Sequence, residues 1–321
     1  MKQVVIAVDL GGTNTVFGVV DKEGKVLHQT SFKTQAYPEI SAFVTRCGEA
    51  VSSLLKEVGG AEKVKAIGIG APDVNYWART IENATNLPWK GIVPLAELLE
   101  KETGISVRIT NDAKAAALGE MLYGAAKGMK DFIMLTLGTG VGSGIVVDGK
   151  LVYGRKSFAG ELGHVSIRPE SGRPCPCGRK GCLETYCSAT GVAQTACELL
   201  ADSHYSDSLL HRLNPSEITS KDVYEAAMQG DALSNEVFRL TGEWLGEACA
   251  DFATFSDPEA FVFFGGLTKS ADCFMPHLVE TYQKTVFDNY KGTAKFLIST
   301  LKDGEAALLG AAALAWLDET V

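Results

Sequence analysis

The chain has 321 residues, of which 46% are hydrophobic and 21% are charged, an ordinary composition for a globular protein. Its net charge of -9 lacks the basic excess that typifies nucleic-acid binding, so we expect no nucleic-acid partner. The sequence contains no apolar run of the roughly 18 residues that a membrane helix needs, and its N-terminus does not resemble a secretory signal. We therefore expect a cytoplasmic protein with no membrane partner.

Strands and helices alternate along the first part of the chain. Residues 4–9 are apolar and largely β-branched, which predicts a strand that ends at a glycine turn. Residues 39–58 have apolar positions at helical spacing, and residues 107–112 form a predicted strand that leads into a helix. Further strands are predicted over 16–21, 25–32 and 64–72. This alternation predicts an α/β fold.

The segment 131–152 repeats the pattern of the first residues. Its turn, Gly138-Thr139-Gly140, corresponds to Gly11-Gly12-Thr13, and each turn lies between two apolar strands. Two copies of this pattern predict a duplicated α/β fold with two lobes and a cleft between them. We assign residues 1–112 plus 304–321 to a smaller lobe, and residues 113–303, with a loop at 160–184, to a larger one.

The second half of the chain is mostly helical in pattern. A long amphipathic helix is predicted over 233–255, and a buried strand over 260–266. The polar stretch 202–222 is interpreted as a surface excursion. A helix of small residues follows Gly304, and we expect it to pack on the first lobe.

The two glycine turns are candidates for phosphate binding, because glycine lets backbone N–H groups approach a phosphate closely. Asp9, just before the first turn, is suited to hold Mg²⁺ directly or through water. A hairpin turn with a solvated aspartate is the alternative. The recurrence of the turn at 138–140 favours binding of a triphosphate. Gly265 and Gly266 would let an adenosine lie against backbone, with a plain strand-end turn as the alternative.

Asn111 and Asp112 lie where a strand ends and a helix begins. Phosphoryl transfer needs a carboxylate that accepts the proton of the attacking hydroxyl group, and a strand end holds such a group firmly. Both residue types are also common helix N-caps. The two roles are compatible, so Asn111 is a candidate cap and Asp112 a candidate catalytic base.

The loop 160–184 has the most specific composition in the chain. One imidazole and three thiols form a soft ligand set that suits tetrahedral zinc, and four protein ligands would make the site structural; they are His164, Cys175, Cys177 and Cys182. Basic residues at 173, 179 and 180 would offset the charge of the thiolates. The alternative is a group of buried thiols near a core histidine.

Carboxylates and amides near this loop are candidates for binding sugar hydroxyl groups. Glu161 and Glu184 lie on either side of the predicted zinc ligands, and a rigid loop would hold them in place. Most glutamates are simply solvated, which is the alternative. Asn83 and Asn86 would add further contacts, although asparagines beside a proline commonly form turns.

The combination resembles the ROK family (repressor, open reading frame, kinase), and within it the bacterial glucokinases. The resemblance covers nearly the whole chain, and the zinc signature is its most selective part. It rests on DLGGT (9–13), GIGAP (68–72), NLPW (86–89), ND (111–112), LGTGVGSG (137–144), GELGH (160–164), CPCGRKGCLE (175–184) and DPEAFVFFGGL (257–267).

The resemblance implies an actin/hexokinase type of fold, ribonuclease H-like in each lobe, and an ATP-dependent kinase with Mg²⁺ and structural Zn²⁺. It implies that Asp112 is the base for the 6-hydroxyl group of a hexose, with glucose expected. It also implies a homodimer or homotetramer. The hexose would be bound by Asn86, Asn111, Glu161, His164 and Glu184, with His164 also a zinc ligand. The chain departs from the family pattern at Asp73, where glycine is frequent, and at Thr85, where proline is frequent.

Two other functions fit parts of the sequence. The family includes repressors, which carry a helix-turn-helix segment ahead of the first strand, whereas this strand begins by residue 4. An ATPase of the actin superfamily without a sugar substrate would not need the zinc loop. Among kinases, fructose, N-acetylmannosamine, N-acetylglucosamine and allose stay open as substrates, because discrimination depends on loop shape.

Overall fold

The structure is a computed structural model that describes residues 4–302 and 304–317. The chain divides into two compact units. The first holds the described residues of Met1–Lys130, Gly144–Gly160 and Ser299–Val321, and the second holds Asp131–Ser143 and Glu161–Ile298. The boundary between the predicted lobes, after residue 112, differs from the boundaries of these two units. The assignment of the lobes stays a prediction. Residues 1–3, 303 and 318–321 of those lobes lie outside the described part.

The first unit contains a five-stranded sheet in the order β3-β2-β1-β4-β8, and a small sheet in the order β5-β6-β7. Their strands are β1 Val4–Leu10, β2 Asn14–Asp21, β3 Val26–Lys33, β4 Val64–Ala71, β5 Val74–Asn75, β6 Thr80–Glu82, β7 Ile92–Val93 and β8 Val107–Asn111. β1 is antiparallel to β2 and parallel to β4, which is parallel to β8.

A second five-stranded sheet has the order β11-β10-β9-β12-β13. Its strands are β9 Phe132–Leu137, β10 Val141–Val147, β11 Lys150–Leu151, β12 Ala260–Phe264 and β13 Lys295–Ile298. In both sheets the first strand lies in the middle, the second and third lie on one side of it, and the last two lie on the other. This shared order agrees with the duplication that the two glycine turns predicted.

Helices connect and cover the sheets. Their bounds are α1 Ile40–Val58, α2 Leu95–Thr103, α3 Asp112–Tyr123, α4 Glu184–Cys187, α5 Ala189–Leu199, α6 Ser220–Ala227, α7 Ala232–Ser256, α8 Ala271–Thr285 and α9 Ala306–Trp316. Among the described residues no helix has the length and hydrophobicity needed to cross a membrane.

The first sheet is covered on both faces, so its central strand is apolar at almost every position. Ile6 and Val8 belong to the core cluster that includes residues of α1 and α2. Their neighbours Val5 and Ala7 belong to the cluster that includes α9. Successive side chains of a strand point to opposite faces, which explains this division. The predicted packing of the last helix on the first part of the chain is confirmed.

Candidate active site

Three aspartates lie at one edge of the first sheet. Asp9 pairs with Gly70 across β1 and β4, and Ala71 pairs with Asn111 across β4 and β8. Because these strands are parallel neighbours, their carboxyl ends meet at the same edge. Asp73 and Asp112 follow the ends of β4 and β8 there, close to Asp9.

Asp112 is the first residue of α3. Asn111 is the N-cap, and its Oδ1 accepts a hydrogen bond of 3.0 Å from the N–H of Ala113. The Oδ1 of Asp112 accepts from the same N–H at 2.7 Å. The predicted capping role of Asn111 is therefore confirmed. Burial is the main cause that raises the pKa of Asp112, and repulsion from Asp73 adds to it, whereas the Ala113 N–H bond lowers it.

The other two carboxylates at this edge are also held in unfavourable surroundings for a negative charge. Burial, with repulsion from Asp112, raises the pKa of Asp9 to about 6. Burial also raises the pKa of Asp73. Hard divalent cations bind carboxylate oxygens, and a cation near Asp9 would relieve the repulsion between these groups. The residues present therefore fit a magnesium ion.

The first glycine turn is held by residues that follow β3. The hydroxyl group of Thr34 donates to the carbonyl oxygen of Gly11 at 2.7 Å. The backbone N–H of Thr34 donates to the carbonyl oxygen of Thr13 at 3.0 Å. A Cβ atom at Gly12 would lie 2.8 Å from the carbonyl oxygen of Asn86, closer than real Cβ atoms approach. Only glycine fits at this point, where the turn meets the loop that carries Asn86.

The second glycine turn is held in a different way, by α5 and Glu184. The carbonyl oxygen of Gly138 accepts from the N–H of Ala189 at 2.8 Å. The N–H of Val141 donates to Oε2 of Glu184 at 3.1 Å, and a Cβ at Gly140 would collide with that same oxygen. Glu184, a predicted sugar ligand, therefore lies against the turn that was predicted to bind phosphate.

The four predicted zinc ligands come together in the second unit. The ligand atoms of His164, Cys175, Cys177 and Cys182 all lie within 4.8 Å of one another. Cys175 Sγ is 3.6 Å from His164 Nδ1, and Cys177 Sγ is 3.7 Å from Cys182 Sγ. Zinc–sulfur bonds of about 2.3 Å and zinc–nitrogen bonds of about 2.0 Å require tetrahedral edges of about 3.5–3.8 Å. The arrangement therefore fits a zinc ion.

Glu184 and His164 connect this cluster to its surroundings. Oε1 of Glu184 lies 3.8 Å from Nδ1 of His164 and 3.6 Å from Sγ of Cys175. Because Nδ1 of His164 faces the cluster, Nε2 is the nitrogen that can serve a second partner. Glu161 is exposed, and its carbonyl oxygen accepts from the N–H of His164 at 3.1 Å.

Arg173 makes structural contacts that its charge alone did not predict. Its guanidinium group donates to both carboxylate oxygens of Glu198, at 3.0 and 2.6 Å, and to the carbonyl oxygen of Thr185 at 2.6 Å. It also lies 4.4 Å from the ring centre of Tyr186. Arg173 therefore ties the loop 160–184 to α4 and α5.

The predicted site residues thus form two sets. One belongs to the first unit: Asp9, Gly11, Gly12, Thr13, Asn86, Asn111 and Asp112. The other belongs to the second unit: Gly138, Thr139, Gly140, Glu161, His164, Cys175, Cys177, Cys182, Glu184, Gly265 and Gly266. No sequence pattern indicated Thr34, Gln35 or the structural role of Arg173. Asp73 was noticed only as a departure from the family pattern, and its left-handed backbone, with φ of 51°, was not foreseen.

Comparison with known proteins defines the class. A crystal structure of a glucokinase from Streptomyces griseus, in complex with glucose and AMPPNP, matches with a TM-score of 0.74 and 34% identity, over 97% of this chain and 98% of that one. The sheets and this match define the actin/hexokinase-like fold. The chain belongs to the ROK family, whose model matches residues 5–317.

Relatives within the family have different functions. A glucokinase of Halalkalibacterium halodurans is 35% identical over 310 residues, which are 95% of this chain and 92% of that protein. A xylose repressor of Caldicellulosiruptor bescii is 31% identical over 252 residues, which are 78% of this chain and 62% of that protein. Family membership alone therefore leaves both a kinase and a regulator to be considered.

Proposed function

We propose that the protein is an ATP-dependent hexokinase that transfers the γ-phosphoryl group of ATP to the 6-hydroxyl group of glucose. The observation that carries this proposal is the placement of Asp112. It is a carboxylate with a raised pKa, fixed at the start of a capped helix, and it shares a sheet edge with Asp9 and the first glycine turn. The similarity to glucokinases over nearly the full chain supports glucose.

In this mechanism the oxygen of the sugar hydroxyl group forms a bond to the γ-phosphorus, and the bond from that phosphorus to the bridging oxygen of ADP breaks. The hydroxyl proton passes to Asp112, whose raised pKa makes it a better acceptor. The backbone of residues 11–13, 138–140 and 265–266 would hold the nucleotide. Asp9 would hold magnesium, which supplies positive charge for the phosphates.

Further residues would recognise the sugar. In the first unit we assign Asn86 and Asn111 to its hydroxyl groups, beside Asp112. In the second unit we assign Glu161, Glu184 and the Nε2 atom of His164. His164, Cys175, Cys177 and Cys182 would hold a structural zinc ion, because four protein ligands leave no open position for catalysis. Zinc would thereby fix His164, and the neighbouring Glu184, in the orientation that the sugar needs.

The test is an assay of ADP release with a panel of hexoses: glucose, fructose, N-acetylmannosamine, N-acetylglucosamine and allose. We expect the highest kcat/KM with glucose, and little ADP release without sugar. A higher kcat/KM with another hexose would contradict glucose but keep the kinase. ADP release that does not depend on sugar would indicate an ATPase. Sugar binding without any ADP release would favour the regulator that the xylose repressor match suggests.

A further inference from the structure

The short segment Thr34–Tyr37, which we call the bridge segment, contacts the first glycine turn. It begins with a 3-10 helix over Thr34–Ala36. Thr34 is fully buried. Its hydroxyl group donates to the carbonyl oxygen of Gly11 and lies 2.9 Å from the hydroxyl group of Thr15. Its N–H donates to the carbonyl oxygen of Thr13. The turn is thus hydrogen-bonded on both sides of Gly12 to one residue of the bridge segment.

The other end of the bridge segment contacts the loop 84–90. The indole N–H of Trp89 donates to the carbonyl oxygen of Tyr37 at 3.1 Å, and the indole ring is buried with its centre 4.3 Å from that of Phe43. Within the loop, Nζ of Lys90 donates to the carbonyl oxygens of Ala84 and Leu87, at 3.1 and 3.2 Å. The loop therefore has a defined conformation that depends on the bridge segment.

Gln35 joins these two contacts through a single atom. Its Nε2 donates to the carbonyl oxygen of Gly12 at 2.7 Å and to that of Asn86 at 3.1 Å. A side-chain amide nitrogen has two hydrogens, so both are used. Gly12 and Asn86 are also in direct contact here, since a Cβ at Gly12 would lie 2.8 Å from the Asn86 oxygen. Gln35 therefore fixes the distance between the glycine turn and the loop.

We propose that Gln35 is a positioning residue that couples nucleotide binding at residues 11–13 to sugar binding at Asn86, an inference that rests on the proposed function. A phosphate that binds the N–H groups of the turn would also fix its carbonyl groups, because both belong to the same peptide units. Gln35 would transmit this order to the loop. The second ligand then binds a loop that is already ordered, and binds more tightly.

The experiment compares the wild-type protein with Gln35→Glu and Gln35→Ala. Glutamate has nearly the same shape as glutamine, but a carboxylate cannot donate and would repel both carbonyl oxygens. Gln29→Glu is the matched control, because Gln29 is exposed on β3 and the substitution makes the same change in charge. Calorimetry measures the Kd of glucose with and without Mg²⁺–AMPPNP, and the Kd of Mg²⁺–AMPPNP with and without glucose.

In the wild-type protein and in Gln29→Glu, each ligand is expected to lower the Kd of the other by about 5-fold or more. The factor should be the same for both ligands, because the coupling is reciprocal. In Gln35→Glu and Gln35→Ala this factor is expected to fall below about 2-fold, while melting temperatures stay close to wild type. The coupling role of Gln35 would be overturned if both variants kept the wild-type ratio between the Kd values measured without and with the second ligand. It would also be overturned if this ratio were one in the wild-type protein. Failure of the wild-type protein to bind either ligand would instead contradict the proposed function.

Discussion

The site residues of the two units are held in place by different means. In the first unit, Asp9 and Asp112 lie at the ends of parallel strands, and the register of the sheet sets their positions. In the second unit, Glu161, His164 and Glu184 lie on or beside a loop with little regular secondary structure. That loop is held by the Cys/His cluster and by Arg173. We infer that the first set depends on the core, whereas the second depends on a bound metal.

The largest effect is expected from Asp112→Asn. Asparagine keeps the shape of the side chain and can still accept from the N–H of Ala113, but it cannot take up the proton of the sugar. We expect kcat to fall about 10²- to 10⁴-fold while the Kd of glucose changes little. Steady-state kinetics and calorimetry measure the two quantities. Asp251→Asn, an exposed change on α7, is the control. Normal turnover in Asp112→Asn would rule out Asp112 as the base.

Loss of the metal is expected to affect only the second set of residues. In Cys177→Ser one of the four ligands is lost, so we expect less than one zinc per chain by elemental analysis. The KM for glucose should rise about 10- to 100-fold, as changes around metal ligands do. Cys273→Ser, outside the cluster, should leave zinc content and KM unchanged. A fully active protein without zinc would contradict the dependence of this set on the metal.

A further prediction concerns the free energy of unfolding and Asp9, a member of the first set. The pKa of Asp9 is about 6 in the folded chain, against an ordinary value of 3.8. The folded state therefore binds this proton more tightly, and it loses stability as pH rises from about 3.8 to about 6. At neutral pH this cost is at most about 3 kcal/mol, at about 1.4 kcal/mol for each pKa unit.

Asp9→Asn removes that cost, so the free energy of unfolding should rise at pH 7.5 and approach the wild-type value near pH 4. Urea denaturation in buffer without magnesium and nucleotide measures the difference, with Asp251→Asn as the control. The same variant should lose kinase activity, because Asp9 is assigned to magnesium. A difference in stability that does not vary with pH would show that the charge of Asp9 is not its cause.

Much of the regular structure could be predicted from sequence, because it follows from local patterns. The predicted strand 4–9 is Val4–Leu10, the predicted helix 39–58 is Ile40–Val58, and the predicted helix 233–255 is Ala232–Ser256. The shared strand order of the two sheets is the larger-scale counterpart of the repeated glycine turn. The four residues of the Cys/His cluster were also identifiable, since their residue types and crowding are rare in an ordinary loop.

Local features of the chain were therefore sufficient to indicate the fold, the family and the residue types that carry the proposed chemistry. Those features depend on periodicity and on short motifs, which are local properties of the chain. Only the folded arrangement shows that Asp73 stands beside Asp112, that Arg173 ties the loop 160–184 to Glu198, and that Gln35 joins Gly12 to Asn86. Each of these contacts joins residues that are distant in the chain, so no local pattern predicts it.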